Sequence, residues 1–369
     1  MNSFEKYGKM LSLEPYKDRS EIPVFPHMIT TIAPLAGYTQ AEVYDDYDKF
    51  LDGIEKAVQV IGTFDVSCSV GPRDTVFVEA LKSRRPGHEL DENACFQFVE
   101  TACFDDPETE YPKIMQMGWD AWFGQHMMSV QNPPMTDPAQ LAARWQEFGA
   151  NAAKGAQFVA QRGMVPWFEN AIMPIFDMLW LIRSMEEFIM DLYEDPGPIM
   201  DIVNKFQPEQ DERTIATMKQ MGMTRVATFP MRCSATFLSP ALFEEYPWPV
   251  MRDSIKRFAD AGITTIIHAD GNWLPMLPYF NELPKGSCHF ELDGATDIEA
   301  AYEIIRGHHS MRGDVPATML AFGTVDEVND YCEKLVTMGM GGGFMLSSGC
   351  EVPPNANLEN LKAFVNFLK

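Results

Sequence analysis

A chain of 369 residues with 46% hydrophobic content can bury a barrel-sized core or two ordinary domains, which excludes a disordered segment. Its 29 Lys and Arg residues stand against 53 Asp and Glu residues, a formal charge of −24, so the basic footprint that phosphate contacts need is missing and nucleic acid is not an expected partner. Residues 1–22 carry charge throughout, no apolar run approaches the roughly 18 residues of a membrane span, and the cysteines form no C-x-x-C, so a cytoplasmic protein with free thiols is expected.

In chain order, the apolar run IPVFPHMI (22–29) precedes a helical pattern from about Thr39 to Ile61, and TFDVSCSV (63–70) opens a second unit. Residues 72–160 are polar and turn-rich, the mark of an insertion or lid, with helix expected after Asp137. Six further runs follow: VPWFENAI (165–172), RVATFPM (225–231), TTIIHAD (264–270), CHFELDG (288–294), SMRGDVP (310–316) and GFMLSSGC (343–350). Thr296 with Glu299, and Thr324 with Glu327, have capping-box spacing ahead of amphipathic patterns. In the second of these helices residues 328, 331, 335 and 338 share a face and Gly339 is placed to end it; Leu358, Leu361 and Phe364 repeat the scheme in the last helix.

Eight strands alternating with helices predict a (β/α)8 TIM-type barrel, a single domain over 1–369 whose chemistry sits at the C-terminal strand ends. A doubly wound sheet is the alternative, but no strand leads into a phosphate-binding glycine loop; GMGGGF (339–344) precedes its strand and reads as a helix stop.

The polar residues at the expected strand ends are His27, Asp65, Glu169, Arg232, His268, Asp270, Glu291, Asp293, Asp314 and Cys350. Among them His268, Asp270, Glu291 and Cys350 offer an imidazole, two carboxylates and a thiolate, a donor set suited to one tetrahedral zinc. Whether Glu291 or Asp293 supplies the acidic ligand stays open, and Asp270 and Asp293 could equally cap turns.

HADGNW, ELPKG, LDGATDI, RGDVPA and GFMLSSGCEVPPNANLENLKAF, with the early IPVFPHMITTIAPLAGYTQAEVYDDYDKF, resemble the uroporphyrinogen decarboxylase superfamily in its branch of corrinoid-dependent methyltransferases. The likeness covers most of the chain and is weakest over 72–160. It implies a barrel that exchanges a methyl group with the cobalt of a corrinoid (cobalamin) carried by a partner protein, with zinc held by a His-x-Cys pair and a late Cys. His268 matches the histidine, Cys350 the late cysteine, and Asp270 stands where the second thiolate would be; Glu291 matches an added Glu ligand in similar methionine synthase barrels. Uroporphyrinogen decarboxylase itself is disfavoured, because FPHMITTIAPLAG lacks the arginine that would meet a polycarboxylate substrate.

Carboxylate for thiolate at 270 makes the zinc more acidic, which suits an oxygen leaving group. The expected activity is therefore O-demethylation: a methyl passes from a small methoxylated compound, with an aromatic one favoured, to Co(I). Trp167, Phe168, Arg232, Phe237, Trp273 and Asp293 are the expected substrate contacts. The alternatives are methyl transfer from a methyl-corrinoid to tetrahydrofolate or a thiol, and a non-catalytic ligand-binding module. Homodimerisation is left open.

Overall fold

The computed structural model describes residues 1–74, 80–99, 102–104 and 106–369. All eight expected strands form: β1 (Val24–Phe25), β2 (Val66–Ser67), β3 in two pieces (Val165–Pro166 and Asn170–Ile172), β4 (Arg225–Thr228), β5 (Thr264–Ala269), β6 (Cys288–Leu292), β7 (Ser310–Val315) and β8 (Phe344–Ser348). Their ladders are parallel and run β2, β3, β4, β5, β6, β7, β8, β1. Asp65 N–H donates to Val24 O at 2.9 Å and links β2 back to β1, so the ring closes. The chain is a (β/α)8 barrel.

Strands walled by helices outside and side chains inside are buried on both faces, which is why they read as short continuous runs. Every residue of β6 and β7 is buried, including Glu291, Arg312 and Asp314. His268 pairs in register with Glu291, and Glu291 with Arg312. Residues in register on neighbouring parallel strands point to the same side, so these three stand side by side on one face of the sheet.

The helix Val325–Gly339 carries the expected Thr324 and Glu327 capping box and buries Val328 and Leu335. The helix at Ile298–Ile305 is capped instead by Asp297, whose side chain accepts from Glu299 N and Ala300 N. Thr296 is taken by the neighbouring loop: its hydroxyl donates to Gly271 O and accepts from Trp273 N–H. In the last helix, Leu358–Val365, Leu361 and Phe364 are buried while Leu358 is exposed.

The segment between β2 and β3 is not uniform. Its last helix, Pro138–Gln161, starts at the expected Asp137, which forms a reciprocal box with Gln140. A Cβ on Gly155 would lie 2.0 Å from Tyr47 Oη and 2.2 Å from Ser69 O, so only glycine lets this helix lie so close to the barrel wall. It is the helix of the second βα unit, and the expected 72–160 boundary cuts through that unit. Two shorter helices, Pro107–Met117 and Trp119–Val130, precede it; residues 75–79, 100–101 and 105 lie outside the described part. Among the described residues no helix is long and apolar enough to cross a membrane.

Candidate metal centre at the barrel mouth

β5 delivers His268 to the mouth and ends at Ala269; the chain then turns at Gly271, with φ of +85°. A Cβ there would lie 2.5 Å from Ser234 Oγ and 2.7 Å from Thr236 Oγ1, so the turn requires glycine. Asp293 clamps the same turn, accepting from Gly271 N at 2.8 Å and from Ala295 N at 2.9 Å. This leaves Asp270 directed at His268, with Oδ1 3.4 Å from Nε2. β8 brings Cys350 in from the far side of the row, with Sγ 3.8 Å from the same Nε2. Glu351 fixes that loop by accepting from the backbone of Ile29 and Thr30 after β1.

The ligand atoms of His268, Asp270 and Cys350 all lie within 4.8 Å of one another. Zinc bonds of about 2.0–2.3 Å give a tetrahedron with edges of about 3.3–3.8 Å. The measured 3.4 Å and 3.8 Å separations match such edges, so imidazole, carboxylate and thiol fit three corners around one zinc.

Glu291 stands apart from this convergence. Its Oε2 lies 2.9 Å from His268 Nδ1, behind the ring nitrogen that faces Asp270 and Cys350. Its Oε1 accepts from Trp167 Nε1 and lies 2.8 Å from Arg312 Nε. That last pair is poorly aligned as a hydrogen bond, so Coulomb attraction carries it. The expected fourth ligand is thus occupied as an orienting group, because its register neighbours on both sides are a histidine and an arginine. An ionised Glu291 only accepts, which puts a proton on Nδ1 and leaves Nε2 as the donor towards a metal.

The electrostatics agree. Burial lifts the Glu291 carboxyl, but Arg312 and His268 outweigh it and hold the group well below the usual carboxylate range. Burial depresses the His268 imidazole, yet Asp270, Cys350 and Glu291 together raise it well above the usual histidine value. Positive charge is therefore favoured at this point, as a proton or as a cation replacing it.

Aromatic rings surround the centre. Phe229, which the sequence reading passed over, lies 5.6 Å from the His268 ring, and Trp167 lies 6.0 Å from it. Phe168 stacks edge-on to Trp167 at 4.9 Å. The other expected substrate contacts are engaged with neighbouring protein groups. Trp273 is fully buried between Phe243 and Phe280, with Nε1 donating to Asp270 O at 2.9 Å, because the Gly271 turn folds it back into the core. The Arg232 guanidinium lies over Phe237 at 5.0 Å, and its backbone N–H donates to Asp177. Asp293 is the turn clamp already described. Asp65 and Glu169, at two other expected strand ends, hold Val24 N and the start of β4 instead.

Arg312 and His27 complete the polar interior. Arg312 is fully buried and donates to Ser347 Oγ at 2.7 Å and Ser348 O at 3.1 Å. Its signal was an arginine inside a strand that must be buried on both faces. His27 is depressed by burial, with Arg312 and His268 adding to the effect.

Fold and site together define a (β/α)8 barrel with a candidate metal centre of three donors at its C-terminal mouth. The family model described as Uroporphyrinogen decarboxylase (URO-D) matches residues 115–369, and the chain belongs to that family. Among solved structures it is similar to a methyltransferase from Methanosarcina mazei, with 15% identity, a TM-score of 0.65, and coverage of 100% of this chain and 98% of that one. At that identity the likeness is one of fold. No curated protein matches the chain.

Proposed function

We propose that this protein is a corrinoid-dependent methyltransferase that takes a methyl group from a small methoxylated, aromatic compound and passes it to the Co(I) of a separate corrinoid protein. The observation that carries the reading is the convergence of His268, Asp270 and Cys350 at zinc-ligand spacing on the mouth of this family's barrel. The fold shared with a methyltransferase supports it. Zinc bound there supplies a Lewis acid for the oxygen that loses its methyl group, a contribution of several kcal/mol.

The chain's own residues do the rest. Glu291 fixes the His268 ring and its tautomer, and Arg312 keeps Glu291 ionised. Asp270 contributes a harder donor than a thiolate and leaves the metal more acidic. Trp167, Phe168 and Phe229 offer apolar faces for an aromatic ring and exclude water from the reacting bond. The corrinoid partner docks over the mouth of the barrel, where the metal centre lies.

The test is to mix zinc-loaded protein with a reduced corrinoid protein and, separately, anisole-type ethers, methylamines and methylthiols. A methyl-cobalt spectrum with release of the phenol is the expected result, with the ether and no other donor. Methyl loss from methyl-cobalt to tetrahydrofolate or a thiol, with no ether ever charging Co(I), overturns the assignment.

A further inference from the structure

One buried polar atom beside the triad, His27 Nε2, is left without a partner among the described residues. His27 follows β1, is 3% exposed, and is held at both backbone groups: its N–H donates to Ser348 Oγ at 3.1 Å and its carbonyl accepts from Val352 N at 2.7 Å. Its ring lies 4.2 Å from Trp167 and 6.1 Å from His268, centroid to centroid. The ring therefore cannot swing away without breaking a packed wall.

Arg312 Nη2 lies 3.3 Å from His27 Nδ1. A guanidinium only donates, so Nδ1 is the acceptor and the ring's single proton sits on Nε2. A second ring proton would face the guanidinium. Nε2 has no partner among the described residues. Leaving such a donor buried and unsatisfied costs about 1–3 kcal/mol, a cost that an acceptor brought in by a ligand removes. The His27 ring stands edge-on to the His268 ring at 6.1 Å, centroid to centroid, so it borders the metal centre.

We propose that His27 is a substrate-binding residue whose Nε2–H donates a hydrogen bond to the oxygen bearing the transferred methyl group. The contact selects methyl donors that keep a lone pair on that atom, namely ethers, over quaternary ammonium donors, which have none. A site built around a hydrogen bond discriminates strongly against ligands that leave its buried group unpaired. This inference rests on the reading of the site given under Proposed function.

The experiment follows the imidazole nitrogens of histidine-labelled, zinc-loaded protein by NMR while phenol, and separately tetramethylammonium, is added. Phenol is expected to shift the His27 Nε2 signal and tetramethylammonium to leave it in place. In parallel, His27→Phe should lower kcat/KM for a methoxyarene roughly 10- to 100-fold, while His27→Gln, which keeps an N–H near the same place, should stay within about fivefold of wild type. The wild-type titration decides the matter even if a variant folds poorly. A His27 signal that ignores phenol in a protein that does demethylate ethers overturns the His27 contact and leaves the function standing. A signal that moves with phenol in a protein that transfers no methyl group keeps the contact and overturns the function.

Discussion

Cys233 and Cys350 each lie beside an aspartate, and the two places differ in what their donors face. In the first, Cys233 Sγ donates to Asp177 Oδ2 at 3.1 Å, Arg232 N–H donates to Oδ1 at 2.9 Å, and both side chains are fully enclosed. Burial pushes Asp177 up to about 7, and burial with Asp177 holds the Cys233 thiol far above its usual value, so the thiol keeps its proton. In the second, Asp270 and Cys350 are only partly buried and meet at the open edge of His268, whose other edge is held by Glu291. The same residue types thus give a closed hydrogen-bonded pair in one place and a converging donor set in the other. What separates them is a histidine whose tautomer is fixed from behind, and a free side for the metal.

The largest effect expected from this contrast is on metal content. The purified protein should hold about one zinc per chain by mass spectrometry, Cys350→Ala should remove it, and methyl transfer should fall by about a thousandfold. Cys233→Ala should leave zinc and activity intact. Equal zinc loss in both variants would erase the distinction drawn between the two thiols.

Glu291→Gln comes next. The glutamine can still accept from His268 Nδ1, but Arg312 loses its buried counter-charge. Zinc affinity should weaken about 10- to 100-fold, with a clear drop in Tm measured in parallel. Wild-type zinc affinity in this variant would mean that the charge of the backing carboxylate does not strengthen the histidine as a ligand.

Asp270→Cys sharpens the chemistry of the open pair. Zinc should stay bound while the ratio of methoxyarene to methylthiol turnover falls, because a second thiolate makes the metal a weaker Lewis acid. Asp270→Ala serves as the control and should lose zinc. An Ala variant that holds zinc and turns over like wild type would assign Asp270 to the turn.

The last effect concerns the stability of the closed pair, not metal or activity. Asp177 has a folded pKa of about 7, raised by burial above an unfolded value of 3.8. The folded state therefore binds more protons than the unfolded state between these values, and this group's contribution to stability declines as pH rises from about 4 to about 7, then levels off. The decline is at most about 1.4 kcal/mol per pH unit. Asp177→Asn should flatten that part of a denaturant-derived stability profile; an unchanged slope would show that Asp177 does not titrate there.

The strands and helices were legible in the chain because their signals are local: apolar runs of strand length, Thr324 three residues before Glu327, Asp137 before Pro138. The mouth residues followed from those strand ends, and His268, Asp270 and Cys350 do come together. Local spacing misled where two candidates competed for one place, so that Asp297 caps the helix assigned to Thr296.

What only the tertiary structure decided is which way each side chain is spent. Register across three strands put Glu291 between His268 and Arg312 and made it the support of the ring. A glycine turn sent Trp273 into the core, while Phe229 and His27 came to face the centre. A sequence names donors and acceptors one by one, but hydrogen-bond capacity is shared out among neighbours in space, and those neighbours lie 23 to 321 residues apart in the chain.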